Sequence, residues 1–320
     1  MRRSLLWSTV LLLAFALRLV HLGGRAIWYD EAVALLYASL SSAQMIYGTV
    51  TPVAGVGAAD VHPLLYYFLL HGWMELAGGS PFAARFLSVA LGTVTVAILW
   101  RLAAWRLDRG TGLAVGLLAA VNPFHVAYSQ EARMYALLGL AAVMTAWCLL
   151  QALEAGQFRW WSLYAVFAAL TLYTHNLGAF VLLALNLLAA ARRRWWRRLP
   201  TLALADLVAL ALFGPWLTWV LPGQVGFVGR GYWLTPPGVE ELVRAMMLPI
   251  LTFYEPAPVW LLGLGLFVSL VLLALLVQQV WQARSRAGWF LLLCWVPIVA
   301  LMFVSRWRPV YLERALLPSA

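Results

Sequence analysis

Apolar runs of roughly 20 residues recur along the whole chain, and they constrain its fold more than any other feature. A helix of about 20 residues is long enough to cross the hydrocarbon core of a bilayer. The runs predict an all-α, polytopic transmembrane helical bundle with about nine spanning helices. They lie at residues 5–22, 82–106, 111–128, 134–152, 161–174, 177–191, 200–219, 259–281 and 288–305.

The composition favours a membrane protein and argues against nucleic-acid binding. Of the 320 residues, 64% are hydrophobic and 11% are charged, whereas a soluble domain averages about 45–50% apolar and about 25% charged residues. All 22 basic residues are arginines, and they lie at the ends of apolar runs instead of alternating with aromatics on one face. Cys148 and Cys294 lie inside apolar runs, so we expect small hydrophobic side chains there and neither a disulfide nor a metal site.

The arginines also predict the topology. The stretch "HPLLYYFLLHGWMELAG", residues 62–78, is apolar but is interrupted by His71 and Glu75. If this stretch does not cross the membrane, the arginine clusters between the other runs fall on one side, which the positive-inside rule identifies as the cytoplasm. We therefore predict a re-entrant or interfacial helix at 62–78 on the outer side, a cytoplasmic N-terminus and an uncleaved first helix.

With this topology, most acidic residues fall at or beyond the outer face, together with several arginines that oppose the positive-inside bias. An arginine kept on that side needs another reason, and binding an anion is the simplest one. The outer face is therefore the predicted location of the chemistry. The acids are Asp30, Glu31, Asp60, Glu131, Glu240, Glu241, Glu255 and Glu313, and the arginines are Arg25, Arg133, Arg230, Arg244, Arg306, Arg308 and Arg314.

Two outer segments carry adjacent polar groups suited to catalysis. The first, residues 23–62, contains "WYDEA" with Asp30 and Glu31, and its helical spacing predicts a short surface helix that Asp30 begins or caps. The second, "NPFHVAYSQEARMYAL", carries Glu131 and Arg133. It is also consistent with an interfacial aromatic belt and a capping glutamate. A carboxylate can take a proton from a hydroxyl while guanidinium groups hold a departing phosphate.

Three further outer features are less specific. His175, in "LYTHNLG", is either a polar ligand of a substrate or a satisfied histidine at the interface. The loop at 221–258 combines glycines, "TPPG" and an amphipathic stretch, which is typical of a lid or an acceptor-binding element. The last stretch, "RWRPVYLERALLPSA", carries Tyr311 and Arg314 just after a predicted membrane exit and is also consistent with a solvated basic end.

Taken in order, "WYDEA", "HPLLYYFLLH", "FAARFLSVALGTVTV", "NPFHVAYSQEARMYALL" and "LYTHNLG" resemble the membrane glycosyltransferases of the type C fold that are related to protein O-mannosyltransferases and lipid A aminoarabinose transferases. The resemblance covers roughly residues 5–220. It implies a single integral-membrane glycosyltransferase domain over 1–320, with the loops at 23–62 and 221–258 as active-site elements. Relatives continue beyond "LLPSA", so the resemblance implies a C-terminally shortened or minimal form.

The resemblance also implies an activity and a location. Such enzymes transfer a sugar from a polyprenyl-phosphate donor to a glycan, lipid or protein acceptor at the outer face of the bacterial cytoplasmic membrane. The expected reaction is an inverting single displacement, and neither a metal nor another cofactor is expected. A transporter or flippase of lipid-linked sugars is the alternative, although it should show internal repeats and helices broken at midplane.

Roles for individual residues follow from the same resemblance. Asp30 matches the first-loop acid that acts as the catalytic base, and Glu131 matches the second-loop acid, with Glu31 as a further catalytic candidate. His62 and Pro63 match the "HPP" that begins the next helix in the family, although Leu64 replaces the second proline. The candidates for binding substrate or phosphate are His62, Arg133, Tyr135, His175, Tyr311 and Arg314.

Overall fold

The computed structural model describes residues 2–50, 62–228, 236–247, 288–307 and 309–319, together with isolated positions between 260 and 278. Within these ranges the chain forms α-helices and short 3₁₀ helices and no strand. The all-α prediction is confirmed. Most of the predicted helix 259–281, much of the loop 221–258 and the residues Asp60, Arg230, Glu255 and Arg308 lie outside the described residues.

Fourteen α-helices are described, and two 3₁₀ helices, Arg193–Arg198 and Glu313–Ser319, accompany them. The first seven are α1 Arg2–Leu19, α2 Tyr29–Ala38, α3 Ser42–Val50, α4 Leu65–Ala77, α5 Pro81–Arg106, α6 Arg109–Val121 and α7 Pro123–Ser129. The remaining seven are α8 Tyr135–Ala155, α9 Phe158–Thr174, α10 Gly178–Ala190, α11 Leu199–Trp219, α12 Leu221–Val228, α13 Val239–Met247 and α14 Gly288–Ser305.

Three stretches among the described residues are long and apolar enough to cross a membrane: α5, α8 and the continuous segment Arg193–Trp219. The pair α6 and α7, bent by 56°, adds a fourth if it is one span. Shorter apolar helices lie at Leu5–Leu19, Gly178–Ala190 and Leu293–Ser305. The chain is therefore a helical membrane protein, whereas the count of about nine spans and the single-domain assignment stay predictions.

The bend in the predicted helix 111–128 has a local cause. Pro123 lacks a backbone N–H and cannot continue the hydrogen-bond ladder of α6. The side chain of Asn122 accepts a hydrogen bond from the backbone N–H of His125 and so caps α7. One predicted helix is therefore two helices, and α7 delivers the chain to the loop that carries Glu131.

The segment predicted not to cross the membrane forms α4, which has 13 residues. A helix of this length extends about 20 Å, which is shorter than the hydrocarbon core of about 30 Å. Tyr66, Tyr67 and Leu70 are fully buried against the bundle. The short length agrees with the expectation of a re-entrant or interfacial helix.

The first loop contains two helices, α2 and α3, where one surface helix was expected. Asp30 and Glu31 lie in the first turn of α2, but the N-cap position is Trp28, whose side chain makes no capping hydrogen bond. The capping alternative for Asp30 is therefore wrong. Both carboxylates still lie where the helix dipole favours negative charge.

The helices run between two ends of the bundle, the active-site end and the opposite end. The active-site end holds the end of α1, the start of α5, α7, the start of α8 and the end of α9. The opposite end holds the end of α5, the turn between α8 and α9 and the 3₁₀ helix Arg193–Arg198. Gly156 forms the turn there with a φ of 69°, a left-handed conformation that glycine adopts without strain.

Close packing of α5 against α7 gives the first testable prediction. A Cβ atom on Gly92 would overlap the hydroxyl of Ser129 and lie 2.8 Å from the Cβ of Ser129 and 3.1 Å from the Nε of Arg18. We expect Gly92→Ala to lower the free energy of unfolding by about 1–3 kcal/mol through overpacking. Thermal unfolding in detergent measures this change.

Gly72 in α4 is the matched control, because a Cβ there would meet nothing within 4 Å. Gly72→Ala should leave the melting temperature unchanged or raise it, since alanine favours helix by about 1 kcal/mol over glycine. Equal effects of the two substitutions would contradict the packing assigned to Gly92.

Candidate active site

A cavity of about 610 Å³ opens at the active-site end. Its walls come from the loop after α1, the start of α5, the loop between α7 and α8, the helix α13 and the C-terminal segment. The wall is charged on several sides and carries both signs. The lining residues are Arg25, Ala26, Trp28, Glu31, Arg85, Tyr128, Gln130, Glu131, Glu241, Tyr311, Leu312, Glu313 and Arg314.

Asp30 lies at the edge of this cavity and pairs with a cation that lines it. Its Oδ2 is 2.7 Å from Nη1 of Arg314, and both side chains are about four-fifths buried, with exposed fractions of 22% and 16%. The backbone carbonyl of Asp30 accepts a hydrogen bond of 3.2 Å from Nη1 of Arg133. Three predicted site residues from distant parts of the sequence therefore meet at one point.

Glu31, the neighbour of Asp30, is engaged in a different way. Arg85 donates two hydrogen bonds to its carboxylate, at 2.8 Å from Nε and 2.6 Å from Nη2, and the two side chains are 1% and 2% exposed. The backbone N–H of Ala132 donates a third, at 2.9 Å. A carboxylate held by three donors is suited to positioning, so the geometry favours that role, while the catalytic role of Glu31 stays a prediction.

Arg85 reaches beyond Glu31 and fixes the loop that precedes α2. Its guanidinium also donates to the backbone carbonyls of Leu22, Arg25 and Ala26, at 2.8, 2.9 and 3.1 Å. These carbonyls belong to the loop between α1 and α2. Arg85 thus connects α5 to both the loop and α2.

A second buried arginine, Arg18, fixes the other acidic loop. Its side chain is fully buried and donates to the carbonyls of Ala119 and Ala120, at 3.2 and 3.1 Å, and to the hydroxyl of Ser129 at 3.2 Å. The two carbonyls lie in the last turn of α6, where the helix dipole favours a positive charge. Arg18 therefore stabilises the bend that leads into α7.

The loop after α7 also bonds to the end of α1. The side-chain amide of Gln130 donates to the backbone carbonyls of Leu17, Arg18 and Val20, at 3.3, 3.2 and 2.8 Å. Glu131 follows on the cavity wall and is 3% exposed. Its position is therefore set by contacts on both sides of the bend.

Aromatic rings surround the pair of Asp30 and Arg314. The guanidinium of Arg314 lies over the ring of Trp28 at 5.0 Å and over that of Tyr135 at 5.7 Å. Tyr135 in turn contacts the rings of Tyr128 at 5.3 Å and His175 at 6.3 Å. Stacking on two rings holds Arg314 in place while leaving its N–H groups available for anions.

The two predicted histidines meet behind these rings. The ring centroids of His62 and His175 are 5.0 Å apart. The Nδ1 atom of His175 accepts a hydrogen bond of 3.1 Å from the backbone N–H of Leu177, which assigns the proton to Nε2. His175 lies beside Tyr135, and neither histidine is among the residues that line the cavity.

The nine predicted site residues therefore divide into two groups. Glu31, Glu131, Tyr311 and Arg314 line the cavity. The others form the layer behind it, and their direct contact with substrate stays a prediction: Asp30 at the edge, with His62, Arg133, Tyr135 and His175.

Sequence reasoning missed the functions of Arg18 and Arg85. Arg18 is the one arginine of the run 5–22, and Arg85 lies near the start of the run 82–106, which carries Arg101 and Arg106 near its other end. A charge inside a membrane segment is costly and marks a buried partner or a functional site, so this was the signal that could have found both residues.

The acids Glu241 and Glu313 form a further wall that the sequence did not single out as catalytic. The hydroxyl of Tyr311 donates to the backbone carbonyl of Glu241 at 3.1 Å, which ties the C-terminal segment to α13. Burial raises the pKa of Glu313; Arg244 opposes this rise, and Glu241 and Glu240 add to it. The cavity therefore holds a carboxyl group that is more readily protonated than an exposed glutamate.

A metal site is not evident within the described ranges, where no three His, Cys, Asp or Glu side chains come together as ligands. The expectation that no cofactor is needed stays a prediction.

Comparison with known proteins identifies the architecture. Residues 61–219, about half of the chain, match the family model of dolichyl-phosphate-mannose-protein mannosyltransferases. The whole chain superposes on crystal structures of ArnT from Cupriavidus metallidurans, bound to undecaprenyl phosphate and in the apo state, with a TM-score of 0.71 in both cases. This chain has the type C glycosyltransferase fold. The predicted family resemblance and fold class are confirmed.

The alignments with ArnT cover nearly all of this chain but only part of ArnT. The sequence identity with ArnT is 16%, and the alignments cover 98% and 100% of this chain but 57% and 58% of ArnT. The chain thus spans somewhat over half the length of ArnT. A search of curated protein sequences gives no match.

The ion pair of Glu31 and Arg85 predicts a stability effect that separates Glu31 from Asp30. Glu31→Gln leaves the Arg85 charge buried without a counter-charge, which costs about 3–5 kcal/mol. We expect a large fall of the melting temperature in detergent. Glu75→Gln, at a carboxylate that is 71% exposed, should have no measurable effect, and a wild-type melting temperature for Glu31→Gln would rule out the role of this pair.

Glu313 predicts a dependence of stability on pH. Because its folded-state pKa is raised, its contribution to stability is present below the ordinary glutamate pKa and is lost as pH rises through the raised value. Glu313→Gln should therefore flatten the fall of melting temperature on going from pH 4 to pH 8. A profile parallel to that of the wild type would contradict this.

Proposed function

We propose that this protein is a glycosyltransferase that moves a sugar from a polyprenyl-phosphate donor to a hydroxyl group of a glycan, lipid or protein. The reaction is an inverting single displacement at the outer face of the bacterial cytoplasmic membrane. The observation that carries the proposal is the contact of 2.7 Å between Asp30 and Arg314. It pairs a carboxylate, the group needed for a base, with a cation suited to phosphate.

The donor class rests on the comparisons together with the cation. The matching family is named for dolichyl-phosphate-mannose, and one ArnT structure contains undecaprenyl phosphate. Both compounds are polyprenyl phosphates. Arg314 lines the cavity and lies over two aromatic rings, so its guanidinium is oriented to form paired hydrogen bonds with phosphate oxygens.

The ion pair suggests how donor binding prepares the base. Without donor, Asp30 and Arg314 neutralise each other. The phosphate of an arriving donor is a diester with one negative charge, and it competes for the guanidinium by offering two oxygens to its N–H groups. The carboxylate of Asp30 is then released from its strongest partner and accepts the proton of the acceptor hydroxyl.

The chemical step balances without a metal or an acid from the protein. The acceptor oxygen forms a bond to the anomeric carbon while its proton passes to Asp30. The bond between the anomeric carbon and the phosphate oxygen breaks, and its electron pair leaves with the polyprenyl phosphate. Arg314 stabilises the negative charge that develops on this leaving group.

The other site residues orient the reactants. Glu131, on the cavity wall, accepts hydrogen bonds from hydroxyl groups of the sugar or the acceptor. Trp28 lines the same cavity and offers an apolar face to the sugar ring. Arg133 holds the backbone of Asp30 from behind, and displacement of this carbonyl would misplace the base.

One feature favours the transporter alternative: the break between α6 and α7. A transporter would use the freed backbone groups of such a break to bind its cargo. Here Arg18 and the side chain of Asn122 already bond the groups next to the break. The break is therefore better suited to positioning the loop of Glu131 than to carrying a lipid-linked sugar.

Asp30→Asn tests the proposed base. General-base assistance contributes about 10²–10⁴-fold to rate, so transfer from a radiolabelled polyprenyl-phosphate sugar should fall by that factor in proteoliposomes. The melting temperature should stay near that of the wild type, because Arg314, unlike Arg85, lies on the cavity wall and keeps contact with solvent when its counter-charge is removed. Glu75→Gln is the matched control and should retain full turnover.

Arg314→Gln tests the proposed contact with the donor phosphate, both in binding and in the chemical step. Its KM for the donor should rise, and its kcat should fall as well, because the guanidinium acts on both the bound and the departing phosphate.

Wild-type turnover of Asp30→Asn would refute the base assignment. Movement of the carrier across the membrane without any sugar transfer would instead support the transporter.

A further inference from the structure

A groove between α10 and α11 lies far from the active site, toward the opposite end of the bundle. Its volume is about 560 Å³. The described walls are mostly leucine and alanine, among them Leu187 and Ala190 of α10 and Leu199, Leu202 and Leu207 of α11. The lining side chains are therefore mostly apolar, and such a groove can accommodate a hydrocarbon chain.

The polar side chains in this groove bond within the protein. The hydroxyl of Tyr164 donates to Asp206 at 2.6 Å, and the amide of Asn186 donates to the backbone carbonyl of Leu182 at 3.0 Å. The first bond connects α9 to α11, which is a common use of polar groups inside membranes, and the second lies within α10. They leave apolar contact as the main property of the groove.

The mouth of the groove is strongly basic. Ala190 and Leu199, which line it, flank the segment that contains the 3₁₀ helix Arg193–Arg198 with its sequence RRWWRR. The indole N–H of Trp196 donates to the carbonyl of Ala190 at 2.8 Å, and the guanidinium of Arg193 lies 5.8 Å from the Trp196 ring. Tryptophan beside arginine is typical of the boundary between hydrocarbon and lipid headgroups.

Among the described residues, one acid at this mouth is shared by two arginines. Glu154 accepts hydrogen bonds from both Arg106 and Arg194, at 2.9 and 2.7 Å. Burial, followed by the nearby charges of Arg194 and Arg106, lowers the pKa of Arg192. The arginines therefore repel one another, and an anion placed among them would relieve this repulsion.

We propose that the α10–α11 groove and the Arg193–Arg198 helix form a binding site for one anionic phospholipid. An acyl chain occupies the groove, and the phosphate lies among the arginines at its mouth. A free phosphate would leave the apolar groove unused, and a helix from a second copy would need acids opposite the arginines. The proposal is independent of the proposed glycosyltransferase activity.

Lipid titration with native mass spectrometry tests the proposal on the purified full chain in detergent. Phosphatidylglycerol should bind more tightly than phosphatidylcholine, and inorganic phosphate at millimolar concentration should not displace it. Each arginine near an anionic surface contributes about a factor of five to binding, so Arg193→Gln combined with Arg197→Gln should weaken phosphatidylglycerol binding roughly 30-fold.

The matched control removes two other exposed arginines from the same end, Arg109→Gln combined with Arg159→Gln. These positions lie in the first turns of α6 and α9 and do not line the groove, so affinity should fall much less than in the Arg193 and Arg197 double variant. Ala203→Trp fills the groove without changing any charge and should also weaken binding. Melting temperatures verify that all variants are folded.

Three results would overturn the proposal. Equal losses in the two double variants would mean that only diffuse charge attracts the lipid. Equal affinity for phosphatidylglycerol and phosphatidylcholine would exclude a headgroup site. If Ala203→Trp left lipid affinity unchanged but altered the mass of the assembly, the groove would be an interface between copies of the chain.

Discussion

The buried ion pair of Glu31 and Arg85 is the interaction on which the candidate active site depends. Removing both charges from water is costly, and such a pair persists only where further hydrogen bonds satisfy it. Here the carbonyls before α2 and the N–H of Ala132 supply those bonds. The same contacts fix three separate segments relative to α5. Asp30, as the neighbour of Glu31, is thereby held at the cavity edge, where Arg314 reaches it.

On the other side of the site, Arg18 satisfies backbone carbonyl groups at the turn between α6 and α7. The chain must leave α6, turn sharply and begin α7, and this turn exposes carbonyl groups that helical bonding no longer satisfies. Inside an apolar bundle, an unsatisfied carbonyl is costly. The guanidinium of Arg18 has five N–H donors in a fixed plane, so one side chain can serve several acceptors at once. Both acidic loops therefore rely on an arginine that projects from a long apolar helix.

The two ends of the bundle differ in their balance of positive and negative side chains. At the active-site end, cations and carboxylates alternate around one cavity, and Arg314 is matched by Asp30. At the opposite end, the described arginines outnumber the described acids near them, and Glu154 is shared by two of these arginines. A balanced cavity suits a charged ligand that exchanges partners during a reaction. An unbalanced surface suits an anion that remains bound, such as a lipid headgroup.

The sequence by itself determined the fold class and predicted which loops carry the candidate site, because apolar run length and the local motifs are properties of neighbouring residues. It also predicted that Asp30, Glu131 and Arg314 belong to one site, and this stays a prediction. Only the tertiary structure decided their partners. It placed Glu31 in a pair with Arg85, excluded Asp30 as a helix cap and broke one predicted helix beside Pro123. Side-chain pairing joins residues that are far apart in sequence, such as Asp30 and Arg314, and no local pattern encodes which of several arginines will reach a given carboxylate.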